Sequence, residues 1–134
     1  MIKERCKKDM KENYIKKSKE IFKNMQKAYD NKRTYLINDI DLNIRGIGKS
    51  YNLVKLAIEK KSPIFCGCQS VGNYLQELAQ REFNTEIEII PLVSFDMTKG
   101  KHLPEIILTE GLAYSIIKEY FLEKGQIVIG TYRG

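Results

Sequence analysis

The sequence predicts a three-layer α/β fold: an α-β-α sandwich around a mainly parallel sheet, preceded by a basic N-terminal helix. Three observations carry this. Short apolar runs alternate with stretches of helical periodicity, and crossovers of that length join parallel strands with a right-handed turn. Two of the runs, Ile106-Ile107-Leu108 and Ile127-Val128-Ile129, have no polar side, as expected of strands covered on both faces. The chain has 134 residues, 43% hydrophobic and 30% charged, which suits one hydrophobic core and excludes a disordered, collagen-like or low-complexity polymer.

The elements follow in order from the N-terminus. Residues 1–33 hold 12 Lys and Arg against 5 Asp and Glu, a net +7, whereas the rest of the chain holds 11 against 12. The overall charge of +6 therefore belongs to a basic helical arm, residues 1–33, and the compact α/β domain expected over residues 34–134 is nearly neutral. Across residues 8–29, Met10, Tyr14, Ile15, Ile21, Phe22, Met25, Ala28 and Tyr29 recur at helical spacing, with Lys11, Lys16, Lys19, Lys23 and Lys27 mostly off that stripe. Such a helix either packs on the domain by its stripe or offers its lysines to a partner, a nucleic acid, a protein or an anionic membrane surface.

Ile40, Leu42 and Ile44 then alternate with Asp39, Asp41 and Asn43, the period of a strand. Residues 50–60 read as a helix through Leu53, Val54, Leu56, Ala57 and Ile58, broken by Ser62-Pro63 before the apolar run Ile64-Phe65-Cys66. A helix over 71–82 uses Val71, Tyr74, Leu75 and Leu78, and residues 86–92 supply a strand. Residues 94–103, polar and containing Gly100, read as a loop; a strand at 104–108, a helix at 112–122 and a last strand at 127–129 complete the pattern.

Charges interrupt every apolar run well short of the roughly 18 residues a spanning helix needs, so no membrane span is expected. The basic start, Met1 to Lys8, leads into Asp9, Lys11 and Glu12 and not into the apolar stretch of a signal peptide. Cys6, Cys66 and Cys68 lack the spacing of a disulfide framework and suit thiols in a reducing cytoplasm. Cys66-Gly67-Cys68, with only His102 and the distant Cys6 to add, does not assemble a tetrahedral zinc site.

In an open α/β sheet ligands bind beyond the carboxyl ends of the strands, which directs attention to the residues after each strand. The first strand leads into Asn43-Ile44-Arg45-Gly46-Ile47-Gly48-Lys49-Ser50, a Gly-containing turn that opens a helix. Backbone amides at such a turn and the helix dipole both favour an anion. This segment resembles the phosphate-binding loop of the P-loop NTPases, G-x-x-x-x-G-K-[ST], matching at Gly48-Lys49-Ser50 and placing Asn43 where the first glycine belongs. The resemblance implies nucleotide contacts from Asn43, Arg45, Gly46, Ile47, Gly48, Lys49 and Ser50, with Lys49 on the terminal phosphates and Ser50 as a magnesium ligand. Asn43 tolerates left-handed backbone angles, which permits the loop, and equally fits a site that has lost tight binding.

Ile106-Ile107-Leu108-Thr109-Glu110 resembles the Walker B strand of the same families, with Thr109 in the place of the aspartate that helps hold magnesium. Glu110 then takes the water-polarising role beside the metal, making Lys49 and Glu110 the catalytic pair; otherwise it simply opens the next helix, where a carboxylate suits the dipole. The last strand ends at Gly130-Thr131-Tyr132-Arg133-Gly134, and by resemblance Thr131 is a γ-phosphate sensor beside the loop strand. Arg133 contacts phosphate or reaches a neighbouring subunit of a homo-oligomer.

From Ile40 to Arg133 the chain is similar to small P-loop ATPase-like proteins of phages and mobile elements. That similarity implies cytoplasmic ATP or GTP binding with Mg2+ and hydrolysis of the γ-phosphate. Two other functions stand beside it: a non-hydrolysing binding protein on the same scaffold, which suits the departures at Asn43 and Thr109, and a nucleic-acid-associated module that uses the basic helix, with or without nucleotide.

Overall fold

Side chains along a strand alternate between its two faces, and in this chain the alternation sorts the apolar residues into two cores. The computed structural model describes residues 2–38, 48–91 and 103–133, with side chains from residue 15 onward. Helix α1, Ile2–Asp30, leads into strand β1, Tyr35–Asn38; α2, Lys49–Lys60, is followed by β2, Ile64–Cys66; and α3, Gln69–Phe83, by β3, Ile89–Pro91. Then come β4, Ile106–Ala113, the short helix α4, Tyr114–Tyr120, a 3₁₀ turn at Leu122–Lys124, and β5, Ile127–Arg133. All described pairs are parallel, in the order β1-β5-β4-β2-β3.

Ile37, Ile64, Cys66, Ile106, Leu108 and Ile129 face one core, shared with Leu53, Val54, Leu56 and Ala57 of α2, and with Leu75, Leu78 and Ala79 of α3. Phe65, Ile107 and Val128 face the other, where Ile117 and Phe121 cover them and the Phe65 and Phe121 rings meet edge-on at 5.5 Å. Helices therefore lie on both faces of the sheet, as the doubly apolar strands require.

Helix α1 belongs to the first layer. Its Ile21, Met25 and Ala28 are buried in the core. It runs parallel to α2, because the Asn52 side-chain amide donates to Ser18 at one end and the Lys60 ammonium meets Asp30 at 3.0 Å at the other, with Gln26 bonded to Glu59 between them. With 29 residues against 12, α1 is about 43 Å long and α2 about 18 Å, and most of the surplus precedes the Ser18 contact. Among the described residues no helix is long and apolar enough to cross a membrane.

Four elements differ from the sequence expectation. Strand β4 continues through Leu112 and Ala113, which pair with Tyr132 and Arg133, so α4 starts later and is only seven residues long. This also settles Glu110: it lies inside the strand and does not open a helix. Strand β5 likewise runs on to Arg133, and β3 is confined to three residues. The strand expected at Ile40, Leu42 and Ile44 lies outside the described residues, as does most of the expected loop at 94–103; the described β1 ends just upstream, at Asn38.

Candidate anion site at the carboxyl edge of the sheet

Gly48 caps the N-terminus of α2 in the left-handed region, φ 76° and ψ 34°, where a Cβ would be strained. Its carbonyl accepts the Asn52 amide at 2.9 Å, the first bond of the helix. The cap has no side-chain hydrogen bond and the first turn has no acidic residue. The amides and positive dipole end of α2 are therefore not neutralised by a carboxylate of their own turn, the condition under which a helix start attracts an anion.

Ser50, in that first turn, donates its hydroxyl to Glu110 Oε1 at 2.7 Å. Glu110 lies two residues beyond Leu108 on β4 and so faces the same layer, that of α2. Its backbone is held as well, since the Gly67 amide donates to the Glu110 carbonyl at 3.1 Å. Gly67 cannot carry a side chain without striking the Gly111 carbonyl, so the end of β2 is built to lie close against β4. Two motif residues separated by 60 positions thus form one hydroxyl–carboxylate pair at the helix start.

Thr131 is fully buried on the strand next to β1 and follows Ile129 on the α2 side of the sheet. Among the described residues its hydroxyl has no hydrogen-bond partner, an arrangement that ordinarily costs about 1–3 kcal/mol. Thr109, also fully buried, donates to the Thr131 carbonyl at 3.3 Å, so its hydroxyl is engaged with β5 and is not turned to Ser50. Arg133 is exposed at the end of β5, close enough for its charge to act on Cys68. Asn43, Arg45, Gly46 and Ile47 lie outside the described residues.

Cys68 is a neighbour of this edge that sequence spacing did not assign to it. It caps the N-terminus of α3, and its sulfur lies 3.0 Å from the Ser70 hydroxyl. That hydrogen bond foremost, with backbone amides and the Arg133 charge, holds its thiol below the usual range. Cys66, fully buried two residues earlier, is pushed up to about 11, chiefly by burial. The one sequence signal for Cys68 is its position between a strand and a helix.

Among the described residues no group of three or more His, Cys, Asp or Glu side chains is arranged to hold a metal. Magnesium does not need one: it is usually held by one or two protein oxygens, with phosphates and water completing its octahedron. Ser50 and Glu110 offer hard oxygens of that kind next to a helix start suited to phosphate. The fold and this edge define an all-parallel α/β domain with an anion-receptive helix start facing a carboxylate. Comparison of the chain with protein-family models, curated proteins and solved structures gave no match.

Proposed function

We propose that the chain binds a nucleoside triphosphate, ATP or GTP, with Mg2+ at the α2 N-terminus, and that it is a nucleoside triphosphatase. The observation that carries this is the 2.7 Å bond between Ser50 and Glu110, which joins two residues singled out by separate motifs as neighbours of one metal. In this scheme the α2 amides and Lys49 receive the phosphates, Ser50 and Glu110 hold the cation, and Glu110 orients water. When bound, magnesium supplies charge neutralisation on the phosphate oxygens. Thr131 offers its buried hydroxyl as the γ-phosphate contact, and Arg133 stands at the same edge.

A second function, nucleotide binding without turnover, is favoured by Thr109. It stands where the family has a metal-binding aspartate, and its hydroxyl is committed to β5. One experiment separates the two. ATP or GTP with Mg2+ at a hundredfold excess over Kd adds about 2.7 kcal/mol of stability, a rise of several degrees in Tm. The rise is expected for the wild-type chain, in part for Glu110→Gln, which keeps a neutral carbonyl oxygen for the cation, and not for Lys49→Ala. Phosphate release by the wild type but not by Glu110→Gln marks a hydrolase, and a shift without release marks a binding protein. A wild-type chain whose Tm ignores all nucleotides refutes both.

A further inference from the structure

We propose that the groove between α1 and α2 docks an acidic amphipathic helix of a partner protein. The groove has a volume of about 760 Å³, lies on the face of α2 turned towards α1, and reaches Gly48 at the start of α2. Each helix lines it with residues spaced three and four apart, the rows that form ridges on a helix surface. Because α1 and α2 run parallel, these rows flank a straight channel. Its α1 wall extends from Ile15 to Gln26, about 16 Å or three helical turns. A third helix laid between two others fits such a channel, and it recognises it through anchors at i, i+3, i+4 and i+7.

The chemistry of the walls selects the occupant. Ile15 and Tyr51 leave 42% and 37% of their surface exposed there, beside Phe22, so apolar anchors have partners. Lys19, Lys23 and Lys55 are the charged residues of the lining, and no acidic residue belongs to it. None of the three is ion-paired among the described residues, and the Lys55 ammonium rests 4.3 Å from the centre of the Phe22 ring. An apolar stripe flanked by Asp and Glu complements this surface in both respects. The α1 of a second copy does not, since it has the same strong positive charge. A phosphate backbone would match the lysines but leave the apolar floor without partners.

The test is selection from a displayed library of amphipathic helices of three to four turns, with flanking positions free to be acidic, neutral or basic, panned against the full chain. Enrichment of Asp and Glu at the flanks is expected. The selected peptides should bind Lys23→Glu/Lys55→Glu at least tenfold more weakly, and bind Lys118→Glu, a charge reversal on α4, as they bind the wild type. Thermal unfolding of both variants checks that they remain folded. Absence of enrichment, basic or neutral flanks, or peptides indifferent to Lys23 and Lys55 would overturn the proposal. So would displacement of the peptides by a mixed-sequence single-stranded oligonucleotide, or self-association of the chain abolished by the same double variant; these would assign the groove to nucleic acid or to a second copy.

Discussion

Ser50 and Glu110 illustrate how far single residues could be read from sequence. Their types and local spacing named them separately, but their contact depends on β4 lying under the start of α2, which no local pattern encodes. Thr109 and Glu110 are adjacent in sequence and opposite in role, because neighbouring residues of a strand face opposite sides of the sheet. Cys66 and Cys68 differ for another reason: Cys66 is the last residue of β2 and buried in the sheet, whereas Cys68 lies beyond the strand, at the N-cap of α3. Buried Cys66 should resist alkylation by iodoacetamide at neutral pH while Cys68, with its lowered thiol, reacts, as peptide mass mapping would reveal. Cys66 also has a consequence for stability. Its native value of about 11 lies above the unfolded thiol's 9.0, so the folded state keeps a proton that the unfolded state releases. That contribution is complete below about pH 9 and is lost as pH rises towards about 11. The fall of Tm across this window should be shallower in Cys66→Val than in the wild type.

At the scale of elements, periodicity located α2 and α3 well, because each has a continuous apolar stripe ended by a breaker or a left-handed residue, Lys61 or Asn84. It misplaced the β4–α4 boundary, since Leu112 and Ala113 suit a strand and a helix equally, and pairing with β5 decides between them. Helix α1 was legible as amphipathic, but its partner was not. The parallel α1–α2 seat rests on Met25 and on Asn52, each with a different physics. Met25→Ala would open a cavity at a fully buried site and should cost about 2–5 kcal/mol. Asn52→Ala removes the amide that bonds Ser18 and should cost about 1–3 kcal/mol. Urea unfolding of the two variants measures both, and a value near zero for Met25→Ala would mean that α1 is not part of the cooperative core.

For the whole molecule, the layered parallel sheet was the most legible feature, because strands apolar on both faces leave few alternatives. Strand order was not legible: β5 lies between β1 and β4, a long-range arrangement that local sequence does not reveal. The charge asymmetry was legible too, yet its helix is not a detachable appendage. Deleting residues 1–30 removes Ile21, Met25 and Ala28 from the core and should abolish cooperative thermal unfolding. A test of nucleic-acid binding by the basic helix therefore calls for charge reversals, with the salt dependence of affinity as the readout.

The sheet order also sets how the two walls of the candidate site respond to force. Glu110 stands on β4, the central strand, hydrogen-bonded to neighbours on both sides. Among the described residues β1 is an edge strand of four residues paired with β5 alone. Opening an edge strand costs less free energy than opening a central one. An anion held between Glu110 and the start of α2 would press on the least yielding strand at one wall and, at the other, on a helix anchored by buried Leu53 and Val54.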